Sequence, residues 1–96
     1  MPYTPQVVRN SRNVKKKLPP TLRGEIDQQV DTICQDPSIG TQKTGDLNRV
    51  WVHKFSFVGQ QYLLAYLFDE ETMTLTLLAL GGHENFYRDL KKYLKS

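Results

Sequence analysis

The closing stretch of the chain, Gly81 to Ser96, gathers three side chains that could do chemistry together: His83, Tyr87 and Arg88. An imidazole with an unperturbed pKa near 6.5 suits proton transfer at neutral pH. His83 and Tyr87 are four residues apart, so a helical continuation puts them on one face. Arg88 adds a cation able to stabilise developing negative charge. An imidazole beside a phenol and a guanidinium is equipped for acid–base work on a phosphodiester. Other readings stay open at this point. The histidine can cap a helix, and Arg88 can simply pair with Glu84, four residues before it.

A second group lies in the segment Val50 to Val58, where alternate residues of a strand face opposite sides. Arg49, Trp51, His53, Phe55 and Phe57 fall on one side, and Val50, Val52, Lys54, Ser56 and Val58 on the other. The aromatic side should lie against helices, which sets His53 at the core edge. Lys54 then projects from an open sheet face, where it can hold a phosphate oxygen or remain a solvated lysine. The other chemistries find no footing. There is no phosphate-binding glycine loop, no serine in a nucleophile elbow, and one cysteine with two histidines makes a metal site unexpected. No cofactor is expected.

The elements that must position these residues follow from periodicity. Gln6 to Arg9 reads as a short strand after Pro2 and Pro5. Asn10 and Ser11 are N-cap types for a helix running to Leu18, with Val14 and Leu18 on its apolar side and Lys15, Lys16 and Lys17 opposite. Pro19-Pro20 breaks this helix and starts another. In that helix Leu22, Ile26, Val30 and Ile33 form one stripe with Cys34 at its edge, and it stops at Asp36-Pro37. Gly24 within it is expected to allow close packing. The two helices read as an antiparallel hairpin.

A polar loop over 38–47 leads into three strands, Val50 to Val58, Gln61 to Phe68 and Thr72 to Leu80, turning at Gly59-Gln60 and Asp69-Glu70-Glu71. In the second of these, Tyr62, Leu64, Tyr66 and Phe68 share one face and Leu63, Ala65 and Leu67 the other. A basic amphipathic helix with Phe86, Leu90, Tyr93 and Leu94 on its seam closes the chain. The expected fold is α+β: an N-terminal strand and helical hairpin packed on an antiparallel β-meander, with a C-terminal helix, in a single domain of residues 1–96.

Charge is unevenly placed. Residues 1–24 carry six bases and no acid, residues 25–82 three bases against eight acids, and residues 83–96 four bases against two acids. Basic ends that met in space would suit a phosphate backbone or an acidic protein segment. Neither a signal-peptide core nor an apolar run of the ~18 residues of a membrane span is present, and a lone thiol fits a reducing compartment. A cytoplasmic protein without a membrane partner is expected.

In this order and spacing the chain resembles the RelE/ParE superfamily of bacterial toxin–antitoxin modules along nearly its whole length. The resemblance is carried by Lys17-Leu18-Pro19, by Asp36-Pro37 and Gly45-Asp46-Leu47, and by the strand segments Val50-Trp51-Val52-His53-Lys54-Phe55 and Tyr62-Leu63-Leu64-Ala65-Tyr66. It continues through the run from Leu77 to Leu90. RelE-like members are ribosome-dependent mRNA endonucleases, and the resemblance implies attack of a substrate 2′-hydroxyl on the adjacent phosphate. It implies His83 as general acid or base, Lys54 and Arg88 as charge-stabilising cations, and Tyr87 as an orienting group. Arg49, His53, Lys15, Lys16, Lys17, Lys91 and Lys92 become RNA contacts. ParE-like members inhibit DNA gyrase instead, and both kinds are neutralised by a cognate antitoxin. One departure stands out: where RelE-like chains often have an arginine after the tyrosine of the second meander strand, this chain has Leu63. The expected partners are therefore an antitoxin with the ribosome and mRNA, or alternatively DNA gyrase.

Overall fold

The computed structural model describes residues 3–43, 49–82 and Phe86. Its element order is β1 (Thr4–Val7), α1 (Arg9–Lys16), α2 (Pro20–Gln35), β2 (Thr41–Gln42), β3 (Trp51–Phe57), β4 (Gln60–Asp69) and β5 (Thr74–Gly82). The strands form one sheet in the order β1-β5-β4-β3-β2. The β3-β4-β5 meander is antiparallel, β2 adds antiparallel to β3, and β1 lies parallel to β5 with Thr4 beside Thr74. The α+β class is the expected one. The strand β2 is additional to it, formed inside the segment read as a polar loop. The closing helix falls on residues outside those described, apart from the helical and fully buried Phe86.

Helix α2 forms for the reasons its sequence contains. Proline occupies its first turn, where no N–H bond is lost, and Asp36-Pro37 ends it. The Asp36 carboxylate then accepts from the Ser38 N–H at 3.2 Å and the Ser38 hydroxyl at 2.6 Å, starting a 3-10 turn over Pro37–Ile39. Leu22, Ile26, Val30, Ile33 and Cys34 are all buried against Phe55, Leu64, Tyr66, Leu75, Leu77 and Leu80 of the sheet. Val14 and Leu18 of α1 join this core, and the Lys15 ammonium pairs with Asp27 of α2. Gly24 corrects one expectation. A Cβ placed on it would meet nothing within 4 Å, so no close packing requires the glycine.

The opposite sheet face was expected to be open, and most of it is not. Val50, Val52, Leu63, Ala65, Leu78, Ala79 and Phe86 form a second buried cluster there, with Val8 and Leu67 packed against it. A bulge in β5 makes this possible. Ala65 pairs with Ala79 and Tyr66 with Leu77, leaving Leu78 as the extra residue, so Leu78 and Ala79 both serve the second face. Ser11 is not the helix cap its type suggests. The cap is Val8, and the fully buried Ser11 hydroxyl donates to the Leu78 carbonyl at 2.8 Å.

The β3-β4 turn lies one residue earlier than the sequence indicates. Phe57 pairs with Gln60, so the β3-β4 turn is Val58-Gly59, with φ of 50° and 76°. Both positive values are what a two-residue type I′ hairpin needs, and the β-branched Val58 is strained there. Gly40 packs under the Tyr66 ring. A Cβ on it would come within 2.4 Å of the Tyr66 hydroxyl and 3.0 Å of the Val52 carbonyl oxygen.

Ser11→Ala leaves the Leu78 carbonyl buried without its partner and should cost about 1–3 kcal/mol in urea unfolding. The two glycines should respond in opposite directions in the same measurement. Gly24→Ala should stabilise by about 1 kcal/mol through helix propensity, and Gly40→Ala should destabilise by about 1–3 kcal/mol through overpacking.

Candidate functional site

Strand β3 sorts its polar residues as alternation requires. Trp51, Phe55 and Phe57 face α2, and His53 goes with them. Its Nε2 lies 2.7 Å from Oε1 of Gln29, and the Gln29 amide nitrogen donates to Oε1 of Glu25 at 2.8 Å. The chain of bonds settles the tautomer. A carboxylate only accepts, so the nitrogen end of Gln29 points to Glu25 and its oxygen to His53. Nε2 of His53 must then carry the proton, leaving Nδ1 as the lone-pair nitrogen when the ring is neutral. Burial lowers the pKa of His53. The ring also stacks on Phe55, which stacks on Tyr62, with centroids 6.4 and 5.7 Å apart.

Lys54 points the other way and is exposed. It pairs across the sheet with Leu63, which pairs in turn with Gly81. Two strand spacings put the Cα of Lys54 about 10 Å from that of Gly81. Gly81 has φ of 152°, a conformation that glycine adopts and side-chain-bearing residues avoid. The strand ends at Gly82, and the next residue in the chain is His83. Leu63, between Lys54 and Gly81, is fully buried, so the row presents one cation and one bare backbone position.

The remaining candidates are dispersed. Arg49 precedes β3 and is exposed. It lines a groove of about 750 Å³ with Gln6, Leu67, Phe68, Thr74, Thr76 and the acidic β4-β5 turn. Lys16 and Lys17 are exposed on α1, whereas Lys15 is engaged by Asp27. His83, Tyr87, Arg88, Lys91 and Lys92 lie outside the described residues. His53 and Lys54 are brought to opposite faces and do not converge. Cys34 is buried, and burial raises its thiol pKa, with Asp31 adding to the rise, so the reactive thiolate is disfavoured. Among the described residues, no group of three histidine, cysteine or carboxylate side chains is placed to hold a metal ion. No helix among them is long and apolar enough to cross a membrane.

One site feature escaped sequence reading: the Gln29–Glu25 support of His53. Its signal was present, since Glu25 and Gln29 are four residues apart on α2. Which strand residue that pair would meet depends on how α2 sits across the sheet.

Comparison with known proteins places this geometry in a family. Residues 6–91 match the model of ParE-like toxins of type II bacterial toxin–antitoxin systems. A mutant of the E. coli toxin RelE in the free state superposes with a TM-score of 0.79 at 18% sequence identity, covering 99% of this chain and 97% of that one. The RelBE2 toxin–antitoxin complex of Mycobacterium tuberculosis gives 0.73 at 22% identity over 86% of this chain and 100% of that one. The intact E. coli RelBE toxin–antitoxin complex gives 0.66 at 16% identity over 85% and 98%. No curated protein sequence matches the chain.

The lowered pKa of His53 has a consequence for stability. Its neutral form is the one the fold favours, so the stability it contributes is present above the unfolded value near 6.5 and is lost as pH falls through the folded value. The difference in unfolding free energy between pH 7.5 and pH 5 should therefore shrink in His53→Gln. The imidazole proton resonances of His53 should titrate below pH 6.5.

Proposed function

The chain belongs to the ParE-like toxins of type II bacterial toxin–antitoxin systems, and from that membership we propose that it halts growth by cleaving messenger RNA on the ribosome. The observation that carries the proposal is Lys54. It is exposed on β3 in the cross-strand row that ends at Gly81, one residue before the glycine that leads into His83. The fold likeness to RelE supports it, since RelE-like enzymes present cations from this strand.

In the proposed reaction the ribose 2′-oxygen attacks the adjacent phosphorus while a base removes its proton. The P–O2′ bond forms, the P–O5′ bond breaks, and an acid protonates the departing 5′-oxygen. His83 fills the base or acid role, and Lys54 and Arg88 balance charge on the phosphorane oxygens. Tyr87 orients the nucleotide. No cofactor or metal is required, because all three tasks fall to side chains. Arg49, Lys16 and Lys17, with Lys91 and Lys92, would meet RNA phosphates. Lys15 and His53 would do so only after giving up Asp27 and Gln29. The cognate partner is an antitoxin, as in the RelBE complexes, and a cytoplasmic setting follows from a ribosomal target.

A specific observation favours a second reading, inhibition of DNA gyrase by binding alone. Leu63 stands fully buried where a RelE-like arginine would point into the site, and the face around it is apolar through Val52, Ala65 and Ala79. A row without that second cation is less equipped to stabilise a phosphorane, which leaves binding alone as the activity.

Induction without antitoxin, followed by primer extension on cellular mRNA, separates the two. Cleavage should slow about 10²–10⁴-fold in His83→Ala and about 10²–10³-fold in Lys54→Ala. Growth arrest with intact mRNA and impaired DNA supercoiling would instead establish the gyrase reading.

A further inference from the structure

Helix α1 has two unlike sides. Ser11 and Val14 point inward, Ser11 to the Leu78 carbonyl and Val14 to the core under α2. On the opposite side Arg9, Arg12 and Lys16 recur at intervals of three and four, which sets them in one row. All three are exposed, and the row is about 10 Å long.

Leu18-Pro19 joins α1 to α2, so Lys16 stands near the N-terminal end of α2. The other end of α2 lies 16 residues on, about 24 Å away, and it is acidic. Asp31 and Asp36 are exposed there. Tyr3 ties that end to the β4-β5 turn: its N–H donates to the Cys34 carbonyl at 2.9 Å, and its ring meets Phe68 at 5.7 Å. Asp69, Glu70 and Glu71 follow Phe68 directly and are exposed. They line the groove of about 750 Å³ together with Thr74 and Thr76, and Arg49 is the one base among its described walls. Among the described residues the ion pair is Lys15 with Asp27, halfway along α2, and none of the charges at either end is in one. The first turn of α2 holds no acid and its last turn no base. Stability favours acids at the positive N-terminal end of a helix and bases at the negative C-terminal end. Here both are missing, and charge of the opposite sign gathers at each end.

We infer that the cationic face of α1 is the docking surface for the acidic end of a second copy of this chain, head to tail. Within one molecule the two ends cannot meet, because α2 holds them about 24 Å apart. Between two molecules they can. The row of Arg9, Arg12 and Lys16 then meets the carboxylates of Asp69, Glu70 and Glu71, and the Thr74 and Thr76 hydroxyls can accept from the arginine N–H groups. An RNA strand on α1 would satisfy the cations and leave the acidic end without a partner; a second copy satisfies both. The contact joins unlike surfaces, so it extends from molecule to molecule and does not close into a symmetric dimer. It covers Lys16 while copies are concentrated and frees it on dilution. The contact is the same whether the toxin acts on mRNA or on gyrase.

The test is sedimentation velocity on the purified full chain. At low salt the weight-average sedimentation coefficient should rise with protein concentration. At about 0.5 M salt, where the Debye length is roughly 4 Å, the rise should vanish. Two double variants neutralise one end each: Glu70→Gln with Glu71→Gln, and Arg9→Gln with Lys16→Gln. Each should associate with itself about tenfold more weakly than the unmodified chain. A mixture of the two should form pairs and stop there, since one supplies the intact α1 face and the other the intact acidic end. That pairing also shows that both variants are folded. Arg49→Ala, which removes the one base from the groove, should tighten association. A chain that stays monomeric at low salt, association that salt does not weaken, neutralised variants that associate as before, or a mixture that stays monomeric would each overturn the inference. An RNA oligonucleotide or an acidic peptide taking the α1 face of a chain that remains monomeric would overturn it as well.

Discussion

Leu78 is one residue more than β5 needs, and the rest of the molecule is arranged around it. Below the bulge Tyr66 faces Leu77; above it Ala65 faces Ala79 and Leu63 faces Gly81. Had the ladder continued without the insertion, Leu63 would have faced Leu80, and Gly81 would have turned to the helix side. The inserted residue therefore decides which backbone stands beside Lys54 where the strand leaves the sheet. It also lets β5 serve two cores, with Leu75, Leu77 and Leu80 turned to α2 and Leu78 and Ala79 turned away. A carbonyl displaced from its ladder inside a protein needs a donor. The Ser11 hydroxyl supplies one and in doing so ties α1 to β5.

What could be read from the sequence follows the same logic. The stripe on α2 and the alternation of β3 and β4 were legible because one face of each is apolar and the other polar for most of its length. Strand β5 reads Leu75-Thr76-Leu77-Leu78-Ala79-Leu80, and its apolar second half contains nothing to reveal a phase change, so the bulge was invisible. Serine before a helix ordinarily caps it, and nothing local shows that the acceptor of Ser11 lies 67 residues away. Alternation sets Val50 and Val52 on a face that reads as open, because the Phe86 that joins their cluster comes from beyond the last strand.

At the site, the positions of Lys54 and His53 on opposite faces were legible from parity alone. Missing from that reading was the environment of each. His53 is fixed by an amide that is itself fixed by a carboxylate, a relay that exists only once α2 crosses β3. Lys54 stands at the edge of a buried apolar cluster, with Leu63 fully buried beside it. A lone cation against low-dielectric material is poorly screened on that side, so its field toward solvent is stronger than that of a lysine among other charges. Such a surface can attract an anion without a second cation beside it.

The parallel pairing of β1 with β5 also sets a clock. Thr4 finds Thr74 only after seventy further residues have been made, and no other strand among the described residues offers β1 a neighbour. At ribosomal speeds of about 5–20 residues per second, the first strand waits roughly 4–14 s for its partner. During that interval the basic N-terminal segment is an open chain beside the ribosome that is making it. The finished sheet, and with it the row from Lys54 to Gly81, cannot close before nearly the whole protein has emerged. A cell thus meets the assembled surface only from completed copies, and an antitoxin already in solution has those seconds in which to be first.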